Sequence, residues 1–282
     1  MKIGFHVSIA GGIALSVKRA LDAGCTTMQI FSHSPRMWAF PPINPDDAKA
    51  FKEQRKASGI APVFVHTSYL INLATTDNDL FEKSIAALKE EMRRADVLGA
   101  EYVVTHLGSS GAPPEDAVER VAGGLKAVFE GEGFNSTLLL ENTACERGDA
   151  GCSFGEIGEI IAKSGLAKIG VALDTCHSYG AGYDLAHEDG IEETLSIIDG
   201  AIGLDRLRLV HLNDSKHGLG SHRDRHQNIG MGMLGEDAFR LIINHPRLRY
   251  LPFVMETPKD TPDDDKKNMA TVLRLREKEK VL

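Results

Sequence analysis

The sequence predicts a (β/α)8 TIM barrel that forms a single domain over residues 1–282. Short apolar runs alternate with helical stretches at a spacing of about 35 residues, which is typical of parallel βαβ units. There are about eight such runs, the number that closes into a barrel, and most of them end in His, Asp or Glu. No linker, low-complexity tract or compositional break divides the chain.

The predicted strands are short apolar segments that stop at a polar residue. Such a run is typical of a parallel strand that is buried on both faces and delivers its last side chain to one edge of the sheet. Two strand candidates at the start of the chain are 2–6 and 27–31. Six further runs end in candidate ligands, at 63–66, 102–106, 138–141, 171–174, 209–211 and 253–256.

The helices between these strands have recognisable boundaries. The N-cap Asn44 and the proline after it predict a helix that ends at Gly59. A second helix keeps one face apolar over 85–98. Proline and acidic residues open two further helices, at 113–116 and 262–265. We expect the last helix to end in the charged stretch 274–280.

The alternative fold is an open doubly wound sheet, which would distribute six strand-end residues along a line. A barrel gathers them into a ring at the carboxyl ends of its strands, where such barrels have their active sites. The sequence therefore favours the barrel, with the strand-end residues around one cleft.

The strand-end residues have the chemistry of metal ligands. With three residues on the segments that follow, the candidate ligands are His66, His106, Glu141, Asp174, His177, His211, Asp224, His226 and Glu256. Four carboxylates and five imidazoles in one ring would strongly perturb one another without cations, so this set predicts a metal centre. Imidazole and carboxylate ligands without thiolate suit Zn²⁺, with Mn²⁺ and Fe²⁺ as alternatives. Nine ligands are too many for one tetrahedral ion and suit three ions with open positions.

Such a centre favours chemistry at a phosphodiester. Clustered divalent ions acidify a water and neutralise the charges on the phosphate and the leaving oxygen. Arg36 and Tyr69 follow strand ends on loops that face the cleft, where contact with a ligand is expected. The net charge of −8 argues against a nucleic-acid partner. However, three Zn²⁺ ions would add six positive charges and leave about −2, with the added charge in one cleft.

The remaining composition indicates an intracellular protein. The four cysteines are too sparse for a disulfide framework and are expected to be free or buried thiols; they are Cys25, Cys145, Cys152 and Cys176. Cys176 lies between two candidate ligands, but harder ligands stand beside it. No run approaches the roughly 20 apolar residues of a membrane span, and the first residues lack a signal-peptide pattern. We therefore expect a cytoplasmic protein without membrane association.

Taken together, the motifs resemble those of the endonuclease IV family of apurinic/apyrimidinic (AP) endonucleases over nearly the whole chain. The matching segments are GFHVS (4–8), FSHSPR (31–36), HTSYLIN (66–72), HLGS (106–109), LENTA (140–144), LDTCH (173–177), HLNDS (211–215), DRH (224–226) and ETP (256–258). The resemblance implies a trinuclear zinc enzyme that cleaves duplex DNA 5′ to an abasic site, leaves a 3′-hydroxyl and removes blocking groups from 3′ ends. It also implies a monomer without an obligate protein partner.

The resemblance further implies roles for individual residues. The first zinc would be held by His66, His106 and Glu141, the second by Glu141 as a bridge with Asp174, His211 and Glu256, and the third by His177, Asp224 and His226. The attacking group would be a hydroxide between the first two ions, so Glu141 would take part in catalysis as the bridging ligand. Arg36, Tyr69 and Leu70 match residues that insert into the bent duplex beside the extruded abasic nucleotide.

One segment departs from the family pattern. Residues 145–152 read CERGDAGC, where the family usually has a Gly-rich turn. The two added acidic residues are expected to weaken phosphate contacts, with Arg147 as a partial offset, and to affect lesion preference.

Two other functions are consistent with parts of this pattern. A sugar isomerase or epimerase of the xylose-isomerase-like barrels would use Glu141, Asp174, His211 and Glu256. The remaining candidate ligands would then be surplus, and this surplus distinguishes the two functions. The other alternative is a metal-dependent DNA-binding scaffold that has lost catalysis.

Overall fold

Parallel strands form the centre of the molecule. The computed structural model describes residues 1–276, whose strands are β1 (Lys2–Phe5), β2 (Met28–Phe31), β3 (Val63–His66), β4 (Tyr102–Thr105), β5 (Thr137–Glu141), β6 (Ile169–Asp174), β7 (Leu207–His211), β8 (Asp214–Ser215), β9 (His226–Gln227) and β10 (Pro252–Met255). Eight of them pair in the order β1-β10-β7-β6-β5-β4-β3-β2, and β8 and β9 form a separate antiparallel ribbon. A parallel bridge between His6 and Gln29 joins the two outer strands and closes the barrel. The predicted fold is therefore confirmed.

Helices surround the barrel. They are α1 (Leu15–Asp22), α2 (Pro45–Ser58), α3 (Asn78–Leu98), α4 (Pro114–Phe129), α5 (Phe154–Ser164), α6 (Thr175–Ala181), α7 (Glu188–Ala201), α8 (Gly235–Asn244) and α9 (Asp264–Leu275). The predicted cap of α2 is present, because Asn44 Oδ1 accepts from the backbone N–H of Asp46 at 2.9 Å. Gly59 ends this helix with a φ of 70°, in the left-handed region that favours glycine.

The last helix ends within the predicted stretch 274–280. Helix α9 stops at Leu275, and Arg276 has extended backbone angles. Residues 277–280 of this stretch lie outside the described residues. Within the described part of the chain, no helix has the length and apolar character needed to cross a membrane.

The barrel interior determines which side chains reach the cleft. A fully buried interior layer consists of Phe64, Val104, Leu139, Ala172, Leu209 and Val254. Since successive side chains of a strand point to opposite faces, the residue two positions further on also points inward. Those residues are His66, His106, Glu141, Asp174, His211 and Glu256. The apolar layer thus closes the barrel directly beneath six of the predicted ligands.

Candidate metal centre

Glu141 lies between two groups of potential ligands at the end of β5. Its carboxylate is fully buried, and Oε2 lies 3.3 Å from Nε2 of His66 and 3.6 Å from Nε2 of His106. The other oxygen, Oε1, lies 2.8 Å from Nδ1 of His211. One carboxylate therefore faces two sets of imidazoles through different oxygens, which is the arrangement of a bridging ligand.

The second group surrounds His211. Its Nδ1 lies 3.6 Å from Oε2 of Glu256 and 3.9 Å from Oδ2 of Asp174. The donor atoms of Glu141, Asp174, His211 and Glu256 all lie within 4.8 Å of one another. The structure thus brings together three carboxylates and one imidazole that come from four different strand ends.

A third group lies on the segments beyond the strands. Oδ1 of Asp224 is 3.3 Å from Nε2 of His177 and 3.4 Å from Nε2 of His226. Both Nε2 atoms are buried and neither makes a hydrogen bond within the described residues. Asp174 lies beside this group as well, with Oδ2 3.7 Å from Nε2 of His226. Two unsatisfied ring nitrogens that converge on a carboxylate fit a cation between them.

Hydrogen bonds on the far side of each ring orient the imidazoles. Nδ1 of His66, His177 and His226 lies 2.9 to 3.2 Å from a backbone carbonyl oxygen, of Thr67, Asn142 and Glu256 respectively. A carbonyl oxygen only accepts, so each Nδ1 carries the proton and Nε2 offers its lone pair to the centre. Histidines that bind metals are oriented in this way in proteins. In His211 the roles are exchanged, since Nε2 is 2.9 Å from Oε1 of Gln29 and Nδ1 faces the acidic groups.

The pKa values reflect how closely these charges are held together. Burial alone would lower the pKa of His211, but Glu141 and Glu256 raise it to about 9. Burial would raise the pKa of Asp224, whereas His177 and His226 lower it to about 2. The acidic groups thus favour cations at this site, so protons on the histidines and metal ions compete for the same carboxylates.

Three polar residues for which the sequence predicted no role also support the centre. Gln29 Nε2 donates to Oε1 of Glu256 at 2.5 Å, and His6 Nδ1 lies 3.2 Å from the same oxygen. Asn213 Nδ2 donates to Oδ2 of Asp174 at 2.7 Å, and its Oδ1 accepts from the N–H of Glu256 at 2.8 Å. The sequence did contain a signal for two of these residues. Gln29 is a polar residue inside an apolar strand, and His6 ends the predicted strand 2–6.

The cleft above the ligands has a volume of about 770 Å³, enough for a nucleotide-sized group. Arg36, Tyr69 and Lys259 line it, and the Tyr69 side chain is 62% exposed at its mouth. The Tyr69 ring packs edge-on against Phe31, with the centroids 5.5 Å apart. Leu70, next to Tyr69, is half-buried. Of the described residues that line this cleft, Leu70 is not one.

The atypical loop 145–152 forms another side of the cleft. Glu146 and Asp149 line it beside His106 and Asp224, so the two added acids do face the site. Glu146 Oε1 accepts from the backbone N–H of Asp224 at 3.1 Å and so helps to hold that segment.

The cysteines are free thiols, as expected. Cys145 Sγ lies 3.3 Å from the carbonyl oxygen of Cys152, and the two half-buried side chains contact each other. Cys176 is buried, and its Sγ lies within 4.8 Å of donor atoms of Asp224 and His226. Burial raises the pKa of its thiol, which disfavours the thiolate form that binds metals.

The barrel and the converging imidazoles and carboxylates define a class of metal-dependent TIM barrels. In agreement, a family model described as "Xylose isomerase-like TIM barrel" matches residues 17–278. The chain is 48% identical to "Probable endonuclease 4" of Methanoculleus marisnigri, over 97% of this chain and 98% of that protein. It is 43% identical to the protein of the same name from Halothermothrix orenii, over 97% and 99%. The chain belongs to the endonuclease IV family, which confirms the resemblance seen in its motifs.

Solved structures agree with this assignment. Endonuclease IV from Thermus thermophilus superposes with a TM-score of 0.88 at 39% identity, over 98% of both chains. A D-tagatose 3-epimerase-like protein superposes with a TM-score of 0.74 at 18% identity, over 98% of this chain and 97% of that chain, which shows the shared fold alone. The family and the ligand groups together indicate that this chain uses divalent metal ions.

Proposed function

We propose that this chain is a DNA-repair AP endonuclease. It hydrolyses the phosphodiester 5′ to an abasic site in duplex DNA, leaves a 3′-hydroxyl and removes blocking groups from 3′ ends. The observation that carries the proposal is the buried Glu141 carboxylate between two ligand groups, with a third group beside them, in a chain of the endonuclease IV family. The protein acts as a cytoplasmic monomer on damaged DNA, with no membrane or obligate protein partner.

Three Zn²⁺ ions fit the donor set. The proposed ligands are His66, His106 and Glu141 for the first ion, Glu141, Asp174, His211 and Glu256 for the second, and His177, Asp224 and His226 for the third. The fit is supported by the free lone pairs, because each of four histidines donates its far ring N–H and turns the other nitrogen to the centre. Imidazole and carboxylate ligation without thiolate is typical of catalytic zinc.

The side chains of the centre hold the reacting groups in place. When bound, the divalent ions would supply an acidified water and neutralise charge on the phosphate and the leaving oxygen. Glu141 would fix the spacing between two of the ion positions, since each of its oxygens faces a different group. Gln29 and His6 orient Glu256, and Asn213 orients Asp174. No side chain is required as a nucleophile.

The mouth of the cleft would recognise the damaged duplex. An abasic nucleotide stacks poorly, so moving it out of the helix costs little, and this difference is one source of selectivity. Tyr69 is exposed where the gap left by such a nucleotide would lie, with Arg36 close by and Leu70 next in sequence. Arg36 and Lys259 would contact backbone phosphates, which position DNA without reading its sequence.

One experiment combines metal analysis with an incision assay. We expect about three zinc ions per chain, as the ligand count requires, and incision of a duplex that carries a tetrahydrofuran abasic analogue. The same duplex without the lesion is the control and should stay intact. A single metal per chain with aldose–ketose activity would contradict the proposal and support the sugar isomerase alternative, which needs only four of the nine residues.

A further inference from the structure

A buried carboxylate lies outside the metal centre, beneath the loops that carry Arg36 and Tyr69. Glu91 belongs to α3 and is 1% exposed. Its Oε2 accepts from the Ser32 hydroxyl at 2.6 Å. Its Oε1 lies 3.0 Å from Nε2 of His33 and accepts from the backbone N–H of Ser68 at 3.1 Å. Three donors from two different loops therefore converge on one side chain.

Arg94, one turn further along α3, holds the first of these loops. It is 5% exposed, and its Nε donates to the Ser32 hydroxyl oxygen at 2.9 Å. One terminal nitrogen donates to the Ser32 carbonyl oxygen and the other to that of Pro41, both at 2.8 Å. The serine hydroxyl thus accepts from Arg94 and donates to Glu91, which fixes the direction of its proton.

The two loops are also joined to each other. Ser68 Oγ donates to the carbonyl oxygen of Pro35 at 2.7 Å and accepts from the N–H of Leu70 at 3.2 Å. Pro35 directly precedes Arg36, and Ser68 directly precedes Tyr69. Both residues that face the cleft are therefore one position away from an atom that this network fixes.

Stability alone does not explain this network. Burying charged side chains such as Glu91 and Arg94 costs free energy that apolar residues of similar size would not cost, so buried charges are weak evidence for stabilisation. Buried polar networks of this kind specify one arrangement of the chain, because every alternative leaves a donor or acceptor without a partner. The arrangement specified here is that of the two loops at the mouth of the cleft.

We infer that Glu91 is a positioning residue for DNA recognition, which acts through Ser68 and Ser32 to hold Tyr69 and Arg36 in the geometry that receives the abasic gap. This inference rests on the proposed function and adds to it a residue that contacts neither DNA nor metal. A displacement of about 1 Å at a binding group is enough to change rates by large factors, so loosening these loops should have a measurable effect.

The test is Glu91→Gln, with Glu90→Gln as the matched control. The amide places an NH₂ group against the Ser32 hydroxyl, which already accepts from Arg94, so the serine proton loses its acceptor. Glu90 is the neighbouring residue, is half-buried and forms a 4.0 Å ion pair with Arg93. Its substitution removes the same charge and, among the described residues, no hydrogen bond to either loop.

We expect Glu91→Gln to raise the KM for the abasic duplex about tenfold with kcat changed less than about twofold, and Glu90→Gln to leave both unchanged. Hydrolysis of bis(p-nitrophenyl) phosphate, which is too small to contact the loops, should persist in both variants. In a double-mutant cycle, Glu91→Gln should cost less in the Tyr69→Ala background than in the wild type, because the part of its effect that is exerted through Tyr69 is already lost.

Three results would overturn the inference. They are equal KM values for Glu91→Gln and Glu90→Gln, a parallel loss of small-substrate hydrolysis in Glu91→Gln, and full additivity with Tyr69→Ala. A wild-type chain that leaves the abasic duplex intact would instead contradict the proposed function, and the inference with it.

Discussion

Glu141→Gln tests the proposed centre most directly. The carboxylate is fully buried and its two oxygens face four imidazoles, at 2.8, 3.3, 3.5 and 3.6 Å. The amide has nearly the same shape but replaces one of these oxygens with an NH₂ group, which cannot bind a cation. The substitution therefore removes one negative charge and one ligand atom from a position shared by two of the proposed metal groups.

The expected loss of activity can be estimated from this geometry. Removing a single preorganised electrostatic contact to the reacting group lowers kcat by roughly 10² to 10³. Since Glu141 belongs to two ligand groups, the loss should reach at least about 10³ in kcat. DNA binding should change by less than about threefold, because Arg36 and Tyr69 lie at the mouth of the cleft and not among the ligands.

The assay measures incision of a fluorescent abasic duplex, binding by fluorescence anisotropy and zinc by atomic emission. The matched control is Glu146→Gln, an acid on the same cleft whose amide can still accept from the N–H of Asp224. We expect this control to retain full turnover. Near-normal incision by Glu141→Gln with a full complement of zinc would refute the bridging role.

Other outcomes follow from the same structure. Tyr69→Ala should weaken binding to abasic duplex about tenfold while hydrolysis of a small phosphodiester persists, since base-sized stacking contacts are worth about 1–3 kcal/mol; an equal loss on both substrates would indicate damage to the metal centre. In chain stripped of metal, the raised pKa of His211, about 9, contributes stability that is complete below its ordinary value of 6.5 and is lost as the pH rises through 9. The free energy of unfolding of chelated protein, measured by thermal unfolding, should therefore decrease by about 3 kcal/mol between these pH values from the titration of His211 alone. A zinc-loaded sample should lack this decrease, because zinc replaces the proton. Iodoacetamide should label the half-buried Cys152, because its contact with Cys145 lowers the pKa of the Cys152 thiol, and spare the buried Cys25 and Cys176, whose pKa values are raised by burial; mass spectrometry of native protein checks this, and labelling of the two buried thiols would show that the barrel opens.

The strands could be predicted from the sequence because burial imposes a simple pattern on them. Phe64 and His66 differ in chemistry but share one face of β3, and an apolar residue two positions before a ligand recurs at all six strand ends. The alternation of side chains along a strand is local, so it is visible in the sequence. A closed barrel then brings the ligands together, because the carboxyl ends of all its strands lie at the same end.

The supporting residues could not be predicted in the same way, because they depend on pairing over long distances. Gln29 reaches Glu256 and His211 only when β1 and β2 close the barrel through His6, over sequence separations of 227 and 182 residues. The role of Glu91 has a similar origin, since Ser32 is 59 residues away from it in sequence. Local patterns show that Glu91 lies near apolar positions of a helix, but they do not show which loops lie above it.

The distribution of charge explains how a chain with a net charge of −8 can bind DNA. Four of its acidic residues are the proposed ligands, and divalent ions would convert the floor of the cleft from a source of repulsion into an attraction for phosphate. Arg36 and Lys259 line the cleft over these ligands, whereas Glu146 and Asp149 line the part formed by the loop 145–152. Metal removal should therefore weaken DNA binding as well as catalysis, because the uncompensated carboxylates then face the phosphates directly. Glu146 and Asp149 repel the phosphates whether or not metal ions are bound, so their effect on DNA affinity should be separable from that of the metals.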